Sequence, residues 1–466
     1  MAPCFPRLSA RSCRKRGKRS FCRSSVSLAL TRPKARGSNS VQLRRYNERI
    51  VLQILRRVQK ASKADLARAA KLTNAAVGAI IQSLAQDGLI EEIGKHHGGG
   101  RGQPATLLRL APRGAFGFGV RIDRTNLETV LVDFEGKLIG RSTHDIILPA
   151  PEAALELIRK DLENLMSLLS EQERRRVTGV GLAQPFNLGA WLHELGLPEA
   201  NFKLWDDFDM AAAMEDATGL PVFRENDGTA ATVAEVFYGH GRQRDDFLYL
   251  FIGPAIGGGL CIGGDVIRGA AGNAGDVAMI PVPPSTLSTA PKPKKAWDLL
   301  LTRASLVALD RHLAPDTFPS NGRLDLQAAF DRDDPLAAEW LDDCVAALTP
   351  AISTALALLD VPLVIIDGDL NGAFCERLAS DLQAALAEAA PEARSTPELL
   401  FGSFGQDAGA IGAASLPMFF NFSPRASILT GGVLRGPAGA APREDPAQAS
   451  SKSKQTERYV ATAPRP

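Results

Sequence analysis

The first 40 residues contain no aspartate or glutamate, no Cys-x-x-Cys pair occurs anywhere in the chain, and no uninterrupted apolar run is long enough to cross a bilayer. Each absence excludes a class of protein. The longest apolar runs, such as VPLVIID at 361–367, fall far short of the roughly 20 residues a membrane helix needs, so no membrane partner is expected. The six cysteines form no disulfide framework: Cys4, Cys13 and Cys22 lie in the basic start, and Cys261, Cys344 and Cys375 are far apart in apolar contexts. That usage fits a reducing cytoplasm. Residues 1–41 are rich in Arg and Ser, as a transit peptide is, but lack the apolar core of about 7–15 residues found in a secretory signal. They read as a disordered basic tail or an over-extended start in preference to a targeting segment. Residues 421–466, rich in Pro, Ala and Ser, read as a second disordered tail.

At 466 residues and 45% hydrophobic content, the chain can bury more than one core. Its formal charge of +2 hides an asymmetry. Residues 1–40 hold eleven basic side chains, residues 41–112 hold twelve basic and five acidic ones, and residues 113–466 are left with −16. A polyanion would meet only the N-terminal quarter.

In that quarter, Ile50, Val51, Ile54, Leu55 and Val58 recur on one face of a helix predicted between Asn47 and Val58. Ser62 can cap a short second helix, with Asp65 in its first turn and Leu66, Ala69 and Ala70 facing inward. After a turn at Lys71-Leu72, Thr73 caps a third helix with an apolar stripe of Val77, Ile80, Ile81 and Leu84, stopped at Asp87-Gly88. Three helices so joined predict a helix-turn-helix.

Ala75, Ala79, Gln82 and Gln86 fall opposite the buried stripe of the third helix, with Thr73 and Asn74 at its exposed start. Gln82 and Asn74 can pair with an adenine edge, and the alanines can meet thymine methyls. The same pattern suits a solvated face on an ordinary helix, but the segment that follows favours DNA. LIEEIGKHHGGGRGQPATLLRL (89–110) reads as strand, glycine-rich tip and strand, the outline of a wing. Arg101 and Gln103 in its tip form an extended basic finger suited to a minor groove. Ser62 and Lys63 complete the expected DNA contacts, and residues 42–112 are expected to be a winged helix-turn-helix DNA-binding domain. His96 and His97 read as solvated wing residues in preference to metal ligands, and no metal or cofactor is expected.

From 113 onward short strands alternate with helices, as in VTGVGLAQP, DFLYLFIG and PLVIIDGDL, which predicts an α/β body over 113–420. FGVRIDRTNLETVLVDFEG (118–136) reads as a hairpin with a tight turn. PVFRENDGTAATVAE (221–235), IGGGLCIGGDVIRGAAGNAGDVAMIPV (256–282) and GQDAGAIGAA (405–414) are its most specific stretches. On these the chain resembles the ROK family, which unites bacterial sugar kinases and sugar-responsive repressors. The resemblance covers about 42–420 and implies an actin-like, ribonuclease-H-like two-lobed body for ligand binding and dimerisation. A winged helix ahead of it resembles the repressor branch.

The kinases of this family carry Asp-x-Gly-Gly-Thr in the first hairpin, where glycine lets backbone approach phosphate and the acid helps hold magnesium. The matching positions here are Arg121, Asp123, Arg124 and Thr125, so three of four motif residues are lost. The family's Gly-Thr-Gly is matched by Gly253-Pro254-Ala255, where proline removes an N–H, and its adenosine-side Gly-Gly by Gly368-Asp369. Nucleotide binding is therefore not expected. Asn226 and Asp227 match the residues that grip sugar hydroxyls in the family, and in the kinases the aspartate is the general base. The family's Gly-Glu-x-Gly-His reads Gly275-Asp276-Val277-Ala278-Met279, which offers Asp276 as a third contact. The zinc loop that should follow, residues 283–297, has neither Cys nor His. Phe186 and Met279 are expected to make the pocket less polar than its kinase relatives.

Residues and resemblance together imply, as an expectation, a cytoplasmic transcription regulator, a homodimer that binds operator DNA and senses a sugar or sugar derivative at Asn226, Asp227 and Asp276. A different small ligand and an empty structural lobe remain open for the body. The enzyme alternative is a sugar kinase with an appended DNA-binding domain.

Overall fold

The first helix, α1 (Ser40–Val58), begins seven residues ahead of the predicted Asn47 and buries Val51, Leu52 and Leu55. The structure, a computed structural model, describes residues 40–96, 105–189, 192, 197, 199–293, 295–320, 325–390 and 395–425. After β1 (Ala61–Ser62) come α2 (Lys63–Ala70) and α3 (Asn74–Gln86), and then the strands β2 (Ile90–His96) and β3 (Ala105–Leu110). The three strands form one antiparallel sheet in the order β1-β3-β2. Local chemistry explains the breaks. Ser62 and Asp65 form a reciprocal cap at the start of α2, Lys71 turns the chain at φ 54°, and Thr73 Oγ1 accepts the Ala76 N–H at 3.2 Å. The inward residues of α2 are Leu66 and Ala67; Ala69, expected to face inward, is exposed.

The body has two five-stranded sheets of matching design. In the first, β4 (Phe116–Ile122), β5 (Leu127–Asp133) and β6 (Leu138–His144) are antiparallel, and β7 (Val177–Gln184) and β8 (Val222–Asn226) run parallel to β4, in the order β6-β5-β4-β7-β8. In the second, β9 (Phe247–Ile252), β10 (Ile256–Ile262) and β11 (Asp265–Val266) are antiparallel, and β12 (Leu363–Gly368) and β13 (Glu398–Phe401) run parallel to β9, in the order β11-β10-β9-β12-β13. This is the two-lobed, actin-like α/β arrangement expected of the body. Helices α4 (Pro151–Met166) and α5 (Met210–Thr218) contribute to the core of the first lobe. Helix α6 (Asp227–Tyr238) leaves β8, α7 (Pro335–Leu359) and α8 (Ala373–Ala389) serve the second lobe, and α9 (Ala408–Phe422) closes the described chain.

Among the described residues α7 alone is long and apolar enough to cross a membrane. No run in the sequence announced it, because Glu339, Asp342 and Asp343 interrupt its apolar residues. Its Trp340, Leu341, Leu348 and Ile352 are buried, and Asp343 pairs with buried Arg303 at 2.6 Å, as befits a core helix.

Helix α9 lies almost on the backbone of the first sheet. A Cβ at Gly181 would collide with the Ala413 carbonyl, one at Gly119 would lie 2.6 Å from the Ala410 carbonyl, and one at Gly412 would collide with the Ala230 carbonyl of α6. The same apolar cluster runs on into the N-terminal module, joining Phe419 and Phe237 to Val51, Leu55 and Leu84. Arg49 of α1 donates to the carbonyls of Phe420 and Ser423 at 3.4 and 3.3 Å, at the end of α9. Gly181→Ala is expected to lower the unfolding free energy by roughly 1–3 kcal/mol, the range for overpacking a tight core. Denaturant melts check this, and an unchanged midpoint would show that α9 can lift off the sheet freely.

Candidate functional site

Two surfaces carry the residues singled out by sequence. On α3, Asn74, Ala75, Ala79, Gln82 and Gln86 are exposed on the face away from buried Val77, Ile80 and Leu84, and Thr73 is exposed at its start. Lys63 crosses from α2 so that its Nζ stands over Gly78, where a Cβ would lie 2.5 Å from it. Ser62 makes the expected cap but is not placed for the expected DNA contact. It is buried, and its hydroxyl donates to Asp65 Oδ2 at 2.7 Å, so its chemistry is taken up by the cap. Arg101 and Gln103 of the wing tip lie outside the described residues.

The second surface is a cavity of about 240 Å³ between the lobes. It brings together Asn226, Asp227 and Asp276 with Arg121, Asp123 and Phe186. Asn226 is the N-cap of α6: its Oδ1 accepts the N–H groups of Gly228 and Thr229 at 2.9 and 3.4 Å, which leaves its amide nitrogen for a ligand. Asp227 accepts the Gly228 N–H at 2.8 Å. Asn273 Nδ2 donates to Asp276 Oδ2 at 2.8 Å and so orients that carboxylate. Sequence reasoning missed Asn273 and also Phe251, which adds a ring to the wall. The GNAGD spacing, an amide three residues before the acid, was the available signal for Asn273. Met279, expected to make the pocket less polar, does not line it. The single turn Val277–Met279 buries Val277 and Ala278 and leaves Met279 44% exposed.

The hairpin turn supplies the cations. Asp123 N–H closes it on the Asn126 carbonyl at 2.8 Å, and Arg121 stands 3.6 Å from Asp123. Burial works against the Arg121 charge, but Asp123, Asp369, Asp227 and Glu128 around it raise its pKa. Arg124 turns to the loop after β7, donating to the Leu188 and Asn187 carbonyls at 3.2 and 3.0 Å. Burial lifts the Asp227 carboxyl above its ordinary range and Asp123 adds to the lift, while Arg121 opposes it. Asp369 is pushed up to about 6 by burial, with Arg121 pulling it down and Asp123 pushing it further. Asp276 is also raised by burial.

A family model described as ROK family matches residues 117–418. The chain belongs to the ROK family. It is 28% identical over 395 residues to the uncharacterized protein y4fQ of Sinorhizobium fredii, covering 84% of this chain and 93% of that one. It is 20% identical to the xylose repressor of Bacillus spizizenii over 57% of this chain and 68% of the repressor. Kinases are relatives too: the beta-glucoside kinase of Listeria innocua is 27% identical over 48% of this chain and 78% of its own. Among solved structures, a ROK family transcriptional regulator described as a homolog of the E. coli MLC protein superposes with a TM-score of 0.60 at 22% identity, covering 84% of this chain and 100% of that one. That likeness concerns the fold.

As a ROK chain it is notable for where its three altered loops meet. Pro254 lines the cavity beside Arg121, and a Cβ on Gly253 would come 3.0 Å from the Asp369 carboxylate. Asp369 is near enough to Arg121 and Asp123 for each to shift its pKa. Positions far apart in sequence thus form one charged cluster at one end of the cleft. Among the described residues no group of three or more His, Cys, Asp and Glu could hold a metal.

The raised pKa of Asp369 has a testable sign. A carboxyl held above its unfolded value, about 3.9, stabilises the fold most when protonated, and that contribution is lost as pH rises to about 6. Relative to Asp369→Asn, the wild type should therefore lose stability between about pH 4 and 6 and change little above that. Chemical denaturation across that range checks it; parallel curves for the two proteins would show that Asp369 titrates as it does unfolded.

Proposed function

We propose that this ROK chain is a DNA-binding transcriptional regulator, a sugar-responsive repressor whose kinase-like body senses a ligand without phosphorylating it. The carrying observation is the combination in one chain of an exposed α3 face with a cleft that joins Asn226, Asp227 and Asp276 to Arg121 and Pro254, with Asp369 acting on Arg121 from the second lobe. Thr73, Asn74, Ala75 and Gln82 would enter the major groove, Lys63 would approach phosphate, and Arg101 and Gln103 would reach the minor groove. Ser62 holds α2 in place. The names of relatives as repressors support the reading. The regulator would work in the cytoplasm as a homodimer on a two-fold symmetric operator.

A sugar in the cavity would place hydroxyls on Asn226, Asp227 and Asp276, with Phe186 and Phe251 receiving an apolar edge. That lining suits a deoxy or N-acyl sugar better than a fully hydroxylated one. Gly409 brings the start of α9 to the cavity, and Arg49 ties the end of α9 to α1. Ligand-dependent movement of the lobes therefore has a contiguous route to the DNA-binding module. The kinase reading draws on Asp227, which keeps the general-base position.

The test is operator binding by full-length protein, titrated with candidate sugars and with salt. Wild-type affinity should fall with a slope near −0.9 per neutralised phosphate in log K against log salt. Gln82→Ala should relax preference at one base position, by roughly 1–3 kcal/mol. Asp227→Ala should leave ligand-free DNA binding intact and weaken the sugar effect about ten- to a hundredfold, roughly 1.4 kcal/mol per tenfold. A sugar that shifts both proteins alike would move sensing away from Asp227. ATP-dependent turnover of a hexose by wild type would establish the kinase reading instead.

A further inference from the structure

A second cavity, of about 440 Å³, lies where the N-terminal module meets the body. Arg56 of α1, Lys60 two residues beyond its end and Arg109 of β3 line it from the module, and Glu135 and Arg242 line it from the body. Arg56 is the anomaly. It is only 7% exposed and stacks over the rings of Phe237 and Phe134, with its guanidinium carbon 4.0 and 4.9 Å from their centres. Its Nε and Nη2 are buried without any hydrogen-bond partner. Burial pulls its pKa down to about 10, and neighbouring Arg242 adds to this, against Tyr238 and Glu135. Ring faces offset part of the desolvation of a buried cation, but its N–H groups still call for an acceptor.

The surroundings are arranged for one. Arg242 Nε donates to the Arg56 carbonyl at 3.0 Å, and in the amide orientation that satisfies both groups Gln59 Oε1 accepts from Arg242 at 2.6 and 3.0 Å. Arg242 is thus fixed beside Arg56. Arg109 is neutralised by Glu91 at 2.6 Å. Four cations in the wall, set against Glu135 and the Glu91 paired with Arg109, leave a surplus of two positive charges. A phosphate monoester carries about −1.5 to −2 at pH 7 and offers three acceptor oxygens. The depth of Arg56 suits a small molecule and keeps it from a DNA backbone.

We propose that this junction cavity is a binding site for a small phosphate monoester, with its phosphate between Arg56 and Arg242. It is separate from the interlobe cavity and does not rest on the sugar-sensing reading. Because the walls come from both the module and the body, the bound ester pins one to the other and favours the arrangement described here.

Calorimetry and thermal melting of the full-length protein with β-glycerophosphate, inorganic phosphate and glycerol test this. The ester should bind one to one, raise the melting temperature and bind tighter than inorganic phosphate, and glycerol should do neither. Arg56→Met, which keeps an apolar stem on the two rings, should weaken ester binding at least tenfold. If that variant fails to fold, the partly exposed Arg242→Met should show the same loss. Failure of millimolar ester to bind, or equal affinity in wild type and the folded variants, would overturn the proposal. Tighter binding of inorganic phosphate than of the ester would assign the cavity to the free anion and overturn its assignment to an ester.

Discussion

A helix seated on peptide backbone is the constraint on which the rest of this structure depends. At Gly117, Gly119 and Gly181 nothing but hydrogen separates the first sheet from α9, and Gly412 brings α9 equally close to α6. Contacts without intervening side chains leave little room for sliding, because no rotamer can adjust. The first sheet, α6 and α9 therefore behave as one block. The block carries Asn226 and Asp227 at the start of α6, Gly409 at the cavity, and at the far end of α9 the carbonyls that receive Arg49. The interlobe cavity and the N-terminal module are held by the same small-residue interface.

Across the cleft the second lobe contributes Asp369 and Asp276, so charge rather than packing links the two lobes at the cavity. Arg121 comes from the first lobe and Asp369 from the second, and each shifts the other's pKa. The charges of Asp123 and Asp227 act on Arg121 as well, so it stands among carboxylates from both lobes. Lobe closure would deepen burial and strengthen every one of these interactions, so the cleft's electrostatics and its opening are linked. Arg121 and Asp369 thus place opposite charges on the two lobes.

Much of this was legible in the sequence where the signal is local. The caps at Ser62 and Thr73, the stripe on α3 and the hairpin around Asp123 depend on neighbours within a few residues, and the structure has them where periodicity and turn chemistry place them. The early start of α1 was not legible, because residues 40–46 carry a polar, arginine-rich stretch without an apolar period. The pocket was read in part. Family motifs locate Asn226, Asp227 and Asp276, but whether a side chain faces the cavity is decided by one turn, which brings Ala278 to the lining and leaves Met279 out of it. Ser62 shows the converse limit: a hydroxyl suited to phosphate is equally suited to a cap, and burial decides. The junction cavity was beyond reach, since it exists only once α1 has docked on the body.

The charge count of the N-terminal quarter also needs a physical correction. Composition assigns its surplus of basic residues to a polyanion, yet Arg49, Arg56 and Arg57 of α1 all turn to the body. Seven and eight residues apart on a helix, they share one face. Arg49 meets carbonyls, Arg56 meets aromatic rings, and Arg57 pairs with Asp245. The Arg57 pair is partly exposed and worth little by itself, but the stripe as a whole sets which way the module faces an acidic body. With α1 held inward, α3 is left outward. The positive charge near α1 therefore orients the module, and the outward surplus lies on Lys63 and Arg68 of α2 and on Lys71 after it, since α3 itself carries no charge.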